Sequence, residues 1–218
     1  FAAILIPDIA TDEFPQFYKN VWTLILQNLH RLSERDIFRF ALGLPRGHAK
    51  TTFIKLLVCY LVIHDYDINF IQIVCATEPL AENFLADVHN MLQSPVITQV
   101  YGPWASSLTR DTMKIKKADW LGRKIILVAI GAGTSTRGLN LDNQRPQLII
   151  CDDAQTKEND ESDVDRTKLL LWLVGTLFKS LVKRGKKGVI YVGNMYSDVC
   201  ILYTFSKLPQ WLSLITGG

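Results

Sequence analysis

The segment LPRGHAKTT, residues 44–52, carries the clearest candidate chemistry in the chain. A lysine can bind the β and γ phosphates of a nucleotide, a hydroxyl beside it can bind magnesium, and free N–H groups at a helix N-terminus favour an anion. All three features meet at Lys50 and Thr51, so the segment is predicted to be a phosphate-binding loop. Its predicted nucleotide-binding residues are Pro45, Arg46, Gly47, His48, Ala49, Lys50, Thr51 and Thr52.

The loop departs from the strict phosphate-loop pattern G-x-x-x-x-G-K-[ST] at both glycines. Leu44 stands at the first glycine and Ala49 at the second. Gly47 can supply part of the missing flexibility, and the methyl group of Ala49 must then lie away from the phosphates. The alternative that the residues alone leave open is an ordinary connection that leads into a basic helix start.

Two acidic residues end a second apolar run, in the segment QLIICDDAQ, residues 147–155. A nucleotide hydrolase needs one carboxylate to hold the magnesium shell and a neighbouring group to orient or deprotonate the attacking water. We assign the metal role to Asp152 and the water role to Asp153. The alternative is that two acids simply end a strand.

A third apolar run, in GVIYVGNMYS at residues 188–197, ends in glycine and asparagine. Asn194 is predicted to reach the γ-phosphate or its attacking water and to report hydrolysis to moving parts. Strand-Gly-Asn is also a common turn.

The elements that must position these residues alternate along the chain. Strands are predicted at 37–42, 69–76, 125–130, 147–151 and 188–193, and several are continuously apolar, as strands covered on both faces must be. Helices are predicted at 51–64, 79–92 and 163–184, the last with Ser162 as its N-cap. This alternation predicts an α/β fold, a mainly parallel sheet flanked by helices.

Two stretches are predicted to be irregular. Residues 95–111 show the least regular pattern, and residues 156–165 are predicted to form a solvated acidic loop. No linker or repeat divides the chain, so residues 1–218 are predicted to form a single domain.

Composition narrows the class of protein. With 48% apolar and 21% charged residues, the chain is typical of a globular domain, and a net charge of +3 is too small to establish a polyanionic partner. No apolar run reaches the length of a membrane span, so no membrane association is expected. The four cysteines lie mostly in apolar runs and are predicted to be core residues in a reducing, intracellular setting.

Taken together, LPRGHAKTT, LIICDDAQ and VGNMYS resemble the Walker A, Walker B and coupling motifs of the ATPase domain of tailed-phage terminase large subunits. The resemblance implies a RecA-like (ASCE) P-loop ATPase core with ATP and Mg²⁺ as cofactors. It implies packaging of double-stranded viral DNA into a procapsid by a ring of subunits on the portal protein, with a small terminase subunit as partner. The implied location is the cytoplasm of the infected bacterium.

The resemblance also implies roles for individual residues. Arg46 resembles the variant-loop arginine of terminases, placed at the γ-phosphate, and Arg137 in GAGTSTRGLN resembles an arginine inserted into a neighbour's site. Phe14, Gln16 and Tyr18 stand where the family places its adenine pocket. The family's nuclease domain has no counterpart here, so this chain is expected to be an isolated ATPase domain without nuclease activity.

Two clusters of cations are candidates for contacts with DNA phosphates, which require charge without sequence readout. The first flanks a predicted hairpin and consists of Lys114, Lys116, Lys117, Arg123 and Lys124. The second, around residues 179–187, stands at a helix end, where cations are favourable in any case.

Two other functions remain open from the sequence. One is a helicase-like ATPase stimulated by nucleic acid, although no second RecA-like domain is visible. The other is an assembly module gated by nucleotide, with little turnover, which Ala49 and the short carboxylate of Asp153 would suit.

Overall fold

The computed structural model describes residues 2–5, 15–31, 36–135 and 141–216. Within these residues, one sheet contains eight strands: β1 (Phe38–Gly43), β2 (Phe70–Cys75), β3 (Leu108–Asp111), β4 (Ile115–Trp120), β5 (Arg123–Gly131), β6 (Leu148–Asp152), β7 (Gly188–Gly193) and β8 (Leu212–Ile215). Their order is β3-β4-β5-β2-β6-β7-β1-β8. The six strands from β5 to β8 in this order run parallel, whereas β4 and β3 are antiparallel to their neighbours.

Helices pack on both faces of this sheet. In the described ranges they are α1 (Ala2–Leu5), α2 (Gln16–Arg31), α3 (Lys50–His64), α4 (Glu78–Leu92), α5 (Pro95–Tyr101), α6 (Lys157–Glu161), α7 (Asp163–Trp172) and α8 (Ile201–Ser206). Residues of α2, α3 and α4 share one apolar core with one face of the sheet. Residues of α7 and α8 share a second core with the opposite face.

The central strands are apolar on both faces because both faces are covered. Along β2, Ile71 and Ile73 belong to the first core, while Phe70 and Val74 belong to the second. All six residues of β7 are buried as well. The four cysteines are buried free thiols, which confirms that they are core residues.

The predicted fold class is confirmed: the sheet is mainly parallel and helices flank it. Each of the five predicted strands is present, with ends shifted by no more than two residues. None of the helices in the described part of the chain has both the length and the apolar character needed to span a membrane.

The prediction of one helix over residues 163–184 was wrong in its extent. Ser162 does cap the helix, accepting a hydrogen bond from the Asp165 N–H at 3.3 Å, but α7 ends at Trp172. A wider π turn (Leu173–Leu177) and a 3₁₀ turn (Phe178–Ser180) follow. The buried leucines 169, 173, 177 and 181 recur every four residues. Because an α-helix has 3.6 residues per turn, it would carry such a series off the sheet, and a wider turn keeps it facing the core.

The two stretches predicted to be irregular contain regular structure. Residues 95–111 form α5, a 3₁₀ turn and β3, with Ser94 accepting a hydrogen bond from the Ile97 N–H at 3.4 Å at the start of α5. Residues 157–161 form α6, in which Asp160 is buried rather than solvated. Composition alone missed both because short helices depend on caps and tertiary contacts more than on periodicity.

One of the predicted DNA-binding cations, Arg123, holds the C-terminal end of α3. Its guanidinium donates hydrogen bonds to the carbonyl oxygens of Val62 and Asp65 and, at 3.0 Å, to Oδ1 of Asn69. The last carbonyls of a helix have no partner within the helix, so Arg123 satisfies groups that burial would otherwise leave unpaired. Since α3 begins at the phosphate loop, this contact supports the far end of the element that carries Lys50.

We expect Arg123→Ala to lower the free energy of unfolding by about 2–3 kcal/mol, because charged hydrogen bonds to buried acceptors are lost. Urea denaturation measures the effect, and Lys124→Ala, which removes the neighbouring half-exposed cation, is the control. Equal stability of the two variants would show that the carbonyls of α3 find other partners.

Candidate active site

The sheet order brings the three predicted motifs to one edge. The phosphate loop follows β1, the acidic pair ends β6, and Asn194 follows β7, which lies between β1 and β6. Because these strands are parallel, their carboxyl ends meet at the same edge, where α/β proteins commonly bind ligands. The motifs that are about 100 and 140 residues apart in the sequence are therefore neighbours.

Lys50 is the centre of the hydrogen-bond network at this edge. Its Nζ donates to the carbonyl oxygens of Leu44 at 3.0 Å and Pro45 at 3.2 Å, and to Oδ1 of Asn194 at 2.9 Å. Only 6% of Lys50 is exposed. The three N–H groups of the ammonium match these three acceptors. The buried cation is therefore held by two carbonyls of its own loop and by Asn194.

The backbone of the loop explains how it departs from the strict pattern. Ala49 adopts a left-handed conformation, with φ of 52°, at the position where the pattern has its second glycine. Gly47 also has a positive φ, of 82°. Alanine can adopt this conformation at a cost of about 1–2 kcal/mol. Ala49 thus preserves the turn into α3 that glycine would form more easily.

Thr51 and Asp152 form a direct pair across the sheet edge. The Thr51 hydroxyl donates to Asp152 Oδ2 at 2.8 Å. The second oxygen, Oδ1, is buried and has no hydrogen-bond partner among the described residues. Burial raises the pKa of Asp152 to about 6, and the hydrogen bond from Thr51 opposes the rise only in part. A buried carboxylate with an unsatisfied oxygen beside a hydroxyl fits a hard cation such as Mg²⁺.

Asp153 occupies a strained turn directly after β6. Its φ is 44°, a left-handed value that is uncommon for a residue with a side chain. The backbone N–H donates to the Val192 carbonyl at 2.9 Å, and Oδ1 accepts from Nδ2 of Asn194 at 3.1 Å. Burial raises the pKa of Asp153, which makes the carboxylate a better proton acceptor.

Asn194 therefore connects the cation and the acid. Its oxygen accepts from Lys50 and its amide nitrogen donates to Asp153, so both ends of the side chain are occupied. An anion that drew Lys50 away would leave the oxygen of Asn194 free to bind elsewhere. This is a physical basis for the predicted response of Asn194 to the γ-phosphate.

A cleft of about 500 Å³, within the range of small-molecule sites, lies beside these groups. Asp152 is buried and is not among the residues that line it. The lining residues that the sequence analysis assigned are Arg46, Gly47, His48, Ala49, Lys50, Thr51, Thr52, Asp153 and Asn194. Pro45 lines a smaller cavity of about 310 Å³ that shares Arg46 and Asn194 with the cleft.

Several residues that line the same cleft were not predicted from the sequence as site residues. They are Ala76, Leu80, Gln155, Thr156, Lys157, Glu158 and Tyr196. Five of them directly follow the acidic pair or Asn194 in the sequence, which was a usable signal. Ala76 lies in the turn after β2 and Leu80 in the first turn of α4. The place of β2 beside β6 is established only by the sheet order.

Two of the residues proposed for adenine, Gln16 and Tyr18, are described, and neither lines the cleft. Tyr18 is 7% exposed and packs against Phe53, with ring centroids 4.8 Å apart. Gln16 is exposed and donates to Asn20 at 2.9 Å. Phe14 and Arg137 lie outside the described residues, and their predicted roles stay predictions.

The hairpin of the first cationic cluster is present as β4 and β5, but its lysines have partners within the chain. Each forms an ion pair with an acidic residue: Lys114–Glu78, Lys116–Asp111, Lys117–Asp142 and Lys124–Asp142. Their charge is therefore partly neutralised before any ligand approaches.

We expect Asp152→Asn to raise the free energy of unfolding of the magnesium-free domain at pH 7.5 by about 2–3 kcal/mol, because a buried charge is removed while an acceptor for Thr51 remains. A raised folded-state pKa means that the folded state binds the proton more tightly. The free energy of unfolding of the wild-type domain should therefore fall as the pH rises from about 4 to 6. In the variant the contribution of Asp152 to this fall should be absent.

Urea denaturation in EDTA between pH 4.5 and 7.5 measures both effects. A variant that is less stable than the unchanged domain at every pH would mean that the carboxylate of Asp152 is stabilised as an anion.

Comparisons with known proteins were made for sequence and for structure. No family model matches the sequence, and neither does any curated protein. Among solved structures, the chain is similar to the ATPase domain of the large terminase of Thermus phage P74-26, with 11% identity, a TM-score of 0.45, and coverage of 87% of this chain and 78% of that one. A point variant of that domain gives 11% identity, a TM-score of 0.42, and coverage of 87% and 79%.

Proposed function

We propose that this chain is a magnesium-dependent ATPase that hydrolyses ATP to ADP and phosphate. One observation carries the proposal: a buried lysine, an aspartate–asparagine pair and a threonine bound to a buried aspartate come together at one cleft, which all of them except that buried aspartate line. Each group matches one requirement of phosphoryl transfer, which depends on positioning and on charge stabilisation.

The triphosphate would be bound by the loop and the first turn of α3. The free N–H groups at the start of α3 favour an anion, and Lys50 supplies the opposite charge. In the structure Lys50 is held by two loop carbonyls and Asn194. A phosphate oxygen would replace one or more of these acceptors, so binding exchanges weak neutral partners for a charged one.

Thr51 and Asp152 would hold the magnesium ion, because a hydroxyl and a buried carboxylate with a free oxygen are ligands that Mg²⁺ accepts alongside substrate phosphates. The bound ion would neutralise charge on the phosphate oxygens. In the pH range above 6, Asp152 is ionised and suited to this role. The protein contributes the position of both ligands before the ion arrives.

Asp153 would orient the attacking water and accept its proton at the carboxylate. Its side chain lines the cleft, and burial gives it a raised pKa. Asn194 holds Oδ1 of Asp153, leaving Oδ2 for the water. When the γ-phosphate leaves, Lys50 can return to Asn194, which would signal the change along β7.

Two arginines complete the proposed chemistry. Arg46 lines the cleft and would stabilise charge on the γ-phosphate from within the same chain. Arg137 would do so in a neighbouring copy, a role supported by the sequence resemblance. An arginine finger contributes about 10³–10⁵ in rate in related hydrolases.

We further propose that ATP hydrolysis by this chain powers translocation of double-stranded viral DNA into a procapsid. The sequence resemblance supports a ring of copies on the portal protein, assisted by a small terminase subunit in the host cytoplasm. A motor of this kind would need a residue that couples the site to moving parts, and Asn194, which the fold places beside Asp153, would take that role.

The test is ATP hydrolysis at increasing protein concentration, with magnesium, by the unchanged chain and by Lys50→Ala. We expect a Lys50-dependent rate that rises faster than linearly, because a neighbour completes the site. A strictly linear rate would contradict completion by a neighbour, while Lys50-dependent hydrolysis would still support an ATPase. ATP binding without turnover would favour the nucleotide-gated module, and strand separation on a forked substrate would favour a helicase-like enzyme.

For DNA contacts, we propose the second cationic cluster rather than the hairpin. Lys179, Lys183 and Arg184 are exposed and have no ion-pair partner among the described residues. They lie near the start of β7, at the sheet edge opposite the cleft. Cations that are not neutralised gain most from a phosphate backbone, since binding releases the counterions of the DNA.

Binding of duplex DNA over a range of salt concentrations compares the two surfaces. We expect the triple alanine variant at residues 179, 183 and 184 to reduce the slope of log K against log salt by about 0.9 per lost contact. The triple alanine variant at residues 114, 117 and 124 should change the slope less. The opposite ranking would place the DNA on the hairpin.

A further inference from the structure

The strained turn at Asp153 needs support from its surroundings. A left-handed conformation at a residue with a side chain persists only where neighbouring contacts over-determine it, and such residues cluster at functional sites. The hydrogen bonds of Asp153 with Val192 and Asn194 fix its backbone N–H and its carboxylate against β7 and the residue that follows it. The segment that leaves the turn, toward α6, must be held as well.

Gln155, two residues after Asp153, makes the contacts that hold this segment. Its Nε2 donates to Asp160 Oδ1 at 3.1 Å, and its Oε1 accepts from the Ile201 N–H at 2.9 Å. Gln155 is 5% exposed and Asp160 is 6% exposed, so both hydrogen bonds lie away from solvent. One side chain thereby joins the acidic strand to α6 and to the first residue of α8.

Both partners of Gln155 are themselves held in place. The Asp160 N–H donates to the Thr156 carbonyl at 3.1 Å, and the Asp160 carbonyl accepts from Arg166 of α7. Ile201 is fully buried in the second core and begins α8, which follows Asn194 along the chain. The amide of Gln155 therefore bonds to two residues that are themselves held in place, one in α6 and one in α8.

We propose that Gln155 is a positioning residue that holds Asp153 in its left-handed turn and keeps it aligned with Asn194; the proposal rests on the ATPase function given above. Among the described residues, no hydrogen bond joins Gln155 to Lys50 or to the Thr51–Asp152 pair. Its loss should therefore spare binding of the nucleotide and impair the use of the water. Displacement of a catalytic group by about 1 Å can cost about 10²-fold in rate.

Gln155→Leu removes both hydrogen bonds at similar volume, and Gln147→Leu is the matched control. Gln147 stands just before the opposite end of β6, and its Oε1 accepts from the Asn69 N–H at 2.8 Å and the Phe70 N–H at 3.1 Å. Both substitutions remove hydrogen bonds through which a glutamine next to β6 holds other segments of the chain. Only Gln155 lies at the cleft.

We expect Gln155→Leu to lower kcat for ATP about 10- to 100-fold while the Kd of a fluorescent ATP analogue changes less than about threefold. Gln147→Leu should lower stability without lowering kcat. Amide hydrogen exchange on the nucleotide-free domain should be faster at residues 153–160 and 201–203 in Gln155→Leu, and unchanged there in Gln147→Leu.

A rescue experiment removes the ambiguity of a variant that folds poorly. Gln155→Glu keeps the size but places a second carboxylate against Asp160, and kcat should fall. Adding Asp160→Asn reverses the polarity of the pair: the new glutamate accepts from both the Asn amide and the Ile201 N–H. We expect this double variant to recover most of kcat.

Unchanged kcat in Gln155→Leu, equal losses in both leucine variants, or no recovery in the double variant would each overturn the proposal. Unchanged hydrogen exchange in Gln155→Leu would overturn it as well. If the unchanged domain bound ATP but never hydrolysed it, the ATPase function would fail by itself. The exchange measurement would then still decide whether Gln155 holds the turn.

Discussion

Lys50→Ala should abolish nearly all ATP hydrolysis, lowering kcat/KM by at least about 10²–10³-fold. Lys50 is the buried cation at the start of α3, and the loss of one preorganised donor to developing charge has an effect of this size in other enzymes. The variant also deprives Asn194 of its partner at 2.9 Å, so the link to Asp153 is weakened together with phosphate binding.

Lys55→Ala is the matched control for this prediction. Lys55 lies on the same helix and pairs with Asp87 of α4 at 2.5 Å, away from the loop carbonyls. Its loss should affect stability more than catalysis. Steady-state phosphate release measures the ATP hydrolysis rate of both variants. Hydrolysis by Lys50→Ala at the rate of Lys55→Ala would remove the phosphate-loop assignment altogether.

Asp153→Asn should lower kcat by about 10²–10⁴-fold while ATP binding persists. The substitution removes the proton acceptor but keeps the shape, and asparagine tolerates the left-handed conformation that Asp153 adopts. The variant should therefore fold normally, which separates a catalytic effect from a structural one.

The dependence of rate on pH gives a second signature of Asp153. A general base acts when it is deprotonated, so kcat should rise with pH through the pKa of Asp153, which burial raises above the ordinary aspartate value. With magnesium at saturating concentration, which keeps Asp152 ionised despite its pKa of about 6, this acid limb should disappear in the variant. Asp198→Asn, which alters an exposed carboxylate after Asn194, should keep both the rate and the limb. An acid limb that survives in Asp153→Asn would assign the base to another group.

The sequence alone determined the parts of this protein that depend on near neighbours in the chain. Continuously apolar runs identified the central strands, because strands of a covered parallel sheet bury both faces. The order lysine then threonine at a helix start predicted a phosphate loop, and two acids after an apolar strand predicted a metal ligand and a partner for water. Those predictions needed only local periodicity and the known preferences of phosphate and magnesium.

The limits of local pattern appear at the helix ends and at the cations. The four-residue leucine spacing beyond Trp172 was compatible with a helix in sequence, and only packing against the sheet required a wider turn. The hairpin lysines suited DNA by charge alone, whereas folding pairs them with acids from other elements. Long-range partners cannot be identified from one sequence because any exposed acid is an equally good candidate.

Only the tertiary structure decided how the site is assembled. Placing β7 between β1 and β6 puts Asn194 within hydrogen-bond distance of both Lys50 and Asp153. The same arrangement buries Gln155 between α6 and α8, where no motif indicated a role. Residue types set what chemistry each strand end can perform. The order of the strands, which is fixed by the packing of both faces of the sheet, decides which of those ends act together.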